Sequence, residues 1–521
     1  MKAIAGAVLV LSAQVLACGG PSASPRDGGI EGDATVDSGR ETGMVSQGTV
    51  DAGGPPCICP LDGAVPECVS QNIGVQCTEL PCSSSEMTTL TGKVFDPAGV
   101  NPLYDAIVFI PDNASALPAI TPGTNTCTTC DMPIGSYVAA AVTDYTGTFT
   151  LNGVPTGVSV PVTVQVGKWR RTVDVPISTR CGANSVADGT LRLPRNQQEG
   201  DMPRIALLTG GCDDMGCFLA NMGIDPQEFT APQGGGSVDV YQGLGADAGT
   251  GAGLSSGVAG DCTTGACPLW ASKESFEYYD AVMLSCECGE NNQTKPPVAM
   301  QALHDWLGEG GRVFASHFQY TWFKNNPQAD FQDAATWLGP SAATGSGAYD
   351  IDTSFPKGQA LAQWLGVVGA LESDASPPAI DLTNVATSVS SVNEQSTNRW
   401  IYDPGTTPSD TKYLSFETPI GATPLPSSPC NQTPYAPAQY CGKAVFADLD
   451  TSGSPPGAVQ SIPSGCPKQG LTPQQKALEF LFFDMAACVV DSLPLAPVPP
   501  PVPLPPCDAG EADDAGDAGG D

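Results

Sequence analysis

Only two histidines occur in 521 residues, and one of them, His317, directly follows an apolar run ending in Val313-Phe314-Ala315-Ser316. A second apolar run, residues 279–285, leads into Cys286-Glu287-Cys288-Gly289-Glu290, and a third, residues 443–447, leads into Asp448 and Asp450. In open α/β sheets ligands gather beyond the carboxyl ends of the strands, so these residues are expected at one crest. An imidazole beside carboxylates can pass protons or bind a divalent metal. His317, Glu287 and Asp448 are therefore the candidate catalytic residues. No particular metal is indicated, and no organic cofactor is evident. Cys286 and Cys288 are expected to form disulfides, and His304 to lie on a helix surface away from the site. Glycines 234–260 lack the Gly-Lys-Ser/Thr ending of a phosphate loop, and Ser316 is not in Gly-x-Ser-x-Gly.

The elements that position these residues follow from periodicity. Across 200–490, apolar strands (residues 204–209, 279–285, 312–316 and 443–447) alternate with helical stretches (217–222, 297–308 and one starting at Thr472-Pro473). Glycines 308, 310 and 311 end the middle helix. Strand–helix alternation predicts a doubly wound parallel sheet. Across 87–195 the period is two, with seven short strands at 89–95, 104–110, 137–143, 147–151, 160–167, 169–175 and 189–193, which predicts a β-sandwich. Asp144 and Gly147 are expected to form a hairpin turn that aims Phe149 and Leu151 inward.

Lys plus Arg number 21 against 55 Asp plus Glu, a formal net charge of -34. Such a chain is repelled by nucleic acid, which argues against nucleic-acid partners. Twenty cysteines point to an oxidising compartment. Five of them crowd residues 57–86, where a small disulfide-stapled segment fits better than a zinc ribbon. Cys127 and Cys130 have redox-motif spacing but stand in a Thr/Pro/Gly context, so a local disulfide is expected there. Residues 19–56 form an acidic Gly/Ser/Asp tether and 491–521 a Pro-rich, then acidic tail, both expected to be disordered. Residues 1–18 combine Lys2, an apolar run too short for an anchor, and Leu16-Ala17-Cys18. This ending resembles the bacterial lipobox, which implies a signal peptide, lipidation of Cys18 and attachment at the cell envelope or outer membrane. Cys18 aside, nineteen cysteines remain, so at least one is unpaired or bonded to another chain.

Three further resemblances follow. Thr91-Gly92-Lys93-Val94 with Asp96 and Gly99, then Tyr104-Asp105-Ala106-Ile107-Val108, Thr143-Asp144-Tyr145-Thr146-Gly147-Thr148-Phe149 and Val154-Pro155 resemble the carboxypeptidase regulatory-like (transthyretin-like) domain. That resemblance implies a non-catalytic packing or adhesion module. The order of Tyr279-Asp280-Ala281-Val282, a helix and Gly310-Gly311-Arg312-Val313-Phe314 resembles the class I glutamine amidotransferase-like superfamily, including its trehalose-utilisation-like branch. There the turn after the last strand implies a nucleophilic Cys within Gly-x-Cys-x-Gly; this chain has Ala315-Ser316-His317-Phe318. The amidotransferase nucleophile is absent at that elbow, and His317 takes the place of a histidine found near it in the other branch. The chain as a whole resembles myxobacterial-type lipoproteins. The expectation is a lipid-anchored envelope protein that binds or adheres, through carbohydrate or protein ligands, without catalysis. The alternative is an envelope enzyme of trehalose-utilisation type acting on a carbohydrate.

Overall fold

The computed structural model describes residues 82, 87–123, 137–245, 260–372, 375–407, 410–420, 440–450, 462–463 and 465–486. The lipobox, the tether, the tail, Cys127 and Cys130 lie outside the described residues, as does the Cys-rich segment apart from Cys82.

Eight strands come first: β1 (Thr89–Phe95), β2 (Ile107–Pro111), β3 (Tyr137–Val142), β4 (Thr148–Asn152), β5 (Gly157–Val166), β6 (Trp169–Ile177), β7 (Ala183–Ser185) and β8 (Leu191–Arg192). They form two four-stranded sheets, β3-β2-β5-β6 and β4-β1-β7 with β8 also on β1. The hairpin turn forms as expected. Asp144 Oδ1 accepts from the amides of Thr146 (2.8 Å) and Thr148 (3.0 Å), Gly147 takes a left-handed φ of 73°, and Phe149 and Leu151 are buried. β2 begins three residues later than its apolar pattern suggests. Asp105 adopts a φ of 60°, which interrupts extended backbone just before it. Cys82 bonds to Cys181, so this cysteine ties its segment to the sheets rather than closing a local staple.

The remaining strands are β9 (Ile205–Leu208), β10 (Phe229–Thr230), β11 (Val238–Gln242), β12 (Gly260–Asp261), β13 (Ala281–Leu284), β14 (Arg312–Ser316), β15 (Ala335–Trp337), β16 (Gly345–Ile351), β17 (Ala379–Val385), β18 (Val389–Val392), β19 (Thr397–Tyr402), β20 (Thr411–Thr418) and β21 (Gly442–Ala447). The helices are α1 (Met215–Asn221), α2 (Lys273–Glu277), α3 (Pro297–Gly308), α4 (Thr321–Lys324), α5 (Ala329–Gln332), α6 (Pro356–Val367) and α7 (Pro473–Ala486). One large sheet runs β10-β11-β9-β13-β14-β21-β20-β19-β16-β17. It corrects the purely parallel expectation. Pairing is parallel from β10 to β21 but antiparallel from β21 through β17. Only residues 403–410 separate β19 from β20, and a link that short permits antiparallel pairing only.

Both faces of the parallel half are covered, as its continuous apolar strands require. Ile205, Leu207, Met283 and Phe314 face one core with α1, α6 and α7; Ala206, Leu208, Val282 and Ala315 face the other with α2 and α3. The first core is continuous with that of the two small sheets. Helix α7 makes the joint: Phe482 and Phe483 pack edge-on to Trp169, and Phe480 stacks on Tyr104. Aromatic pairs of this geometry add about 0.5–1.5 kcal/mol each beyond burial.

Two carboxyl groups meet at the same joint. Glu479 of α7 accepts from Asn101 Nδ2 at 2.7 Å, and Asp96, after β1, lies close to it. Burial first, then the charge of Asp96, lifts Glu479 well above the usual carboxylate range, and burial lifts Asp96 to about 6 against the hydrogen bonds of the Val100 amide and Glu479. A raised folded pKa means the native state keeps a proton that the unfolded chain releases. This contribution to stability is complete below the ordinary value of 3.8 and is lost as pH rises through about 6. Glu479→Gln is therefore expected to raise stability at neutral pH by about 1–3 kcal/mol and to change little below about pH 4. Urea midpoints at the two pH values measure this; equal shifts at both would contradict it.

Candidate functional site

The crest of the parallel half is built by three strand ends. β14 is buried along its whole length, so the chain leaving Ser316 must turn sharply. His317 makes that turn with a φ of 43° and starts a 3-10 turn, His317–Tyr320, leading into α4. A left-handed non-glycine residue at a strand-to-helix turn stores strain that the surrounding packing must hold in place. Beyond β13 the backbone passes so close to the loop after β9 that a Cβ on Gly210 would lie 2.1 Å from the Cys286 carbonyl oxygen. That approach requires glycine.

His317 is 2% exposed and every polar atom of its ring is engaged. Its Nε2 lies 2.8 Å from the Ser341 carbonyl oxygen; its Nδ1 lies 3.0 Å from Asp450 Oδ1 and 3.4 Å from Cys286 Sγ. Burial alone would lower the imidazole pKa, but the hydrogen bond and charge of Asp450, the Ser341 carbonyl and the charge of Asp448 carry it above its ordinary value. Cys286 is buried and is the free thiol among the described residues. Burial first, and the Asp450 charge second, push that thiol well above its ordinary pKa.

Of the three candidate catalytic residues, only His317 stands at the centre of this group. Glu287 turns elsewhere. Its Oε2 accepts from Lys295 Nζ at 2.6 Å in a fully buried ion pair, and its Oε1 accepts from the Leu244 amide at 2.8 Å. Gln319 Nε2 also donates to it, at 3.3 Å. Asp448 is buried, close enough for its charge to act on His317, and accepts from the Ser388 amide at 2.6 Å. Burial raises its pKa, against that hydrogen bond and the Lys412 charge. The carboxylate that touches the imidazole is Asp450.

The disulfide expectation holds for Cys288, bonded to Cys212, and not for Cys286. The odd number of cysteines left after Cys18 pointed to an unpaired thiol; nothing in the spacing said which. Ser341, which fixes the ring, is remote in sequence and carries no motif. His304 lies apart, between Asp305 (3.2 Å) and Asp330 (3.1 Å).

The arrangement does not make an activated nucleophile. A Cys–His–Asp relay needs the thiol on one ring nitrogen and the carboxylate on the other. Here both face Nδ1, the second nitrogen is committed to a backbone carbonyl, and burial and the Asp450 charge push the thiol's pKa up rather than down. Cys286, His317 and Asp450 do bring metal-ligating atoms within 4.8 Å of one another.

No protein-family model matches the chain, and no curated protein matches it. Solved structures that resemble part of it include a ThuA-like protein from Bacteroides uniformis, at 8% identity and a TM-score of 0.27, covering 54% of this chain and 89% of that one. Two cytoplasmic proteins of Salmonella typhimurium also resemble it. STM3548 does so at 10% identity and a TM-score of 0.27 over 54% of this chain and 98% of its own; STM1381 at 13% and 0.24 over 54% and 97%. Likeness this shallow assigns neither a family nor an activity. Among the described residues, no helix is long and apolar enough to cross a membrane.

Proposed function

We propose that this protein is a non-catalytic binding protein of the cell envelope, anchored by lipid on Cys18, that engages an envelope carbohydrate or protein. The two small sheets serve as a transthyretin-like, carboxypeptidase-regulatory-like adhesion module. The α/β part is an amidotransferase-like scaffold without its nucleophile. One observation carries the non-catalytic reading: at the crest, Glu287 is spent on Lys295 and His317 is only 2% exposed with both ring nitrogens engaged. A general acid–base group must reach substrate, and both of these side chains are buried and already partnered. The shared joint through α7 suits a rigid two-part binding body.

The second reading is an envelope enzyme acting on a carbohydrate. The strained turn at His317 favours it, since such strain gathers at functional sites. Both readings meet in one experiment, in which the folded chain and a His317→Gln variant are incubated with purified envelope polysaccharide. Sedimentation with the polysaccharide reports binding, and release of new reducing ends reports cleavage. Co-sedimentation by both proteins with no new reducing ends is expected. Cleavage by the wild type that the variant loses would overturn the non-catalytic reading.

A further inference from the structure

We propose that Cys286, His317 and Asp450 bind one zinc-type divalent metal ion at the buried crest of the parallel strands. This holds whether or not the binding role above is correct.

Ligand chemistry comes first. A thiolate, an imidazole nitrogen and a carboxylate oxygen are the donor types zinc takes. In a four-coordinate site with bonds of about 2.0–2.3 Å, neighbouring ligand atoms stand about 3.3–3.8 Å apart. Nδ1 lies 3.4 Å from Sγ and 3.0 Å from Oδ1, and all three atoms fall within 4.8 Å of one another. They come from three separate strand ends, after β13, β14 and β21, so the sheet itself fixes their spacing.

The hydrogen-bonding pattern points the same way. The Ser341 carbonyl can only accept, so Nε2 carries a proton and, in the neutral ring, the Nδ1 lone pair faces Sγ and Oδ1. Ligating histidines are oriented by this kind of bond on the far nitrogen. A single proton on Nδ1 cannot point squarely at both Oδ1 and Sγ, whereas a cation between the three atoms satisfies all of them. An independent observation concerns Asp448. It is fully buried, its charge acts on His317, and its Oδ1 has no hydrogen-bond partner among the described residues. A buried carboxylate oxygen left without a donor is costly, and a nearby cation or its bound water is the group that would relieve it.

The test uses the full chain with its disulfides formed, in wild-type form and as Cys286→Ser, His317→Gln, Asp450→Asn and a His304→Gln control. Each protein is equilibrated with Zn2+, freed of unbound ion by gel filtration, and its metal content measured by plasma mass spectrometry. Wild type and His304→Gln are expected to keep the same stoichiometric zinc, and each of the other three to lose one equivalent. Co2+ in place of zinc is expected to give a thiolate-to-metal charge-transfer band in wild type that Cys286→Ser lacks. If a ligand variant fails to fold, wild type alone decides: chelation should lower its Tm and zinc should restore it. Overturning results would be no charge-transfer band with Co2+, a Tm indifferent to chelator and zinc, or zinc content unchanged in the folded variants.

Discussion

Asp484→Asn is expected to lower folding stability by about 3–5 kcal/mol, although the substitution changes almost no volume. Asp484, on α7, holds two lysines at once. Its Oδ1 lies 2.5 Å from Lys357 Nζ at the start of α6, and its Oδ2 lies 2.5 Å from Lys443 Nζ on β21. The Lys443 side chain is 1% exposed and that of Lys357 11%. Asparagine leaves both ammonium groups buried, with Glu417, 3.5 Å from Lys443, and Asp105, whose charge acts on Lys357, as carboxylates still nearby. Removing one partner of a buried ion pair costs more than the pair's net worth, because the charge left behind stays desolvated. Burial would raise the Asp484 pKa, but the two lysines outweigh it and hold the carboxyl at about 2. A depressed folded pKa gives stability that is complete above the ordinary value of 3.8 and lost as pH falls through about 2. The variant should therefore show its full deficit at neutral pH and a flatter acid limb. Urea unfolding with disulfides intact, at about pH 7 and about pH 3, measures both.

The second large effect is at the crest. Lys295→Met is expected to cost about 3–5 kcal/mol by leaving Glu287 buried with only its amide and Gln319 donors. Lys295→Met combined with Glu287→Gln should recover most of that loss, because the charge to be desolvated is gone. Such recovery is a coupling that a double-mutant cycle reads directly. Were Glu287 a catalytic acid instead, Glu287→Gln alone would abolish turnover with little change in stability. Unfolding midpoints of the two single variants and the double variant distinguish these outcomes.

Much of the frame was legible because burial writes itself into apolar periodicity. Residues 312–316 and 297–308 form β14 and α3 within the limits their patterns suggest, and the seven short strands of the first part recur with small shifts. The antiparallel extension was not legible. β19 and β20 (TNRWIY and TKYLSFET) are almost wholly buried, so they lack the polar–apolar alternation that marks a half-exposed strand. Their pairing is set by long-range neighbours, which no local pattern records. At the crest, His317 stood out because histidine is so scarce here. Asp448 and Asp450 are two residues apart, and their types cannot say which one touches the imidazole. Cys286 was masked by the abundance of cysteine, since a lone thiol among twenty reads as half of a disulfide. Glu287 was misplaced for a related reason: its partner Lys295 lies eight positions on, across a turn, where nothing marks a buried cation.

The central claim is that the crest is closed and its thiol unreactive. It is tested most directly by alkylating the folded chain with iodoacetamide and locating the label by peptide mapping. Cys286 is expected to stay unmodified in the native protein and to become labelled only when urea unfolds it. Labelling of Cys286 in the folded chain at the rate of an accessible thiol would show an open, reactive site and contradict the closed, non-catalytic crest.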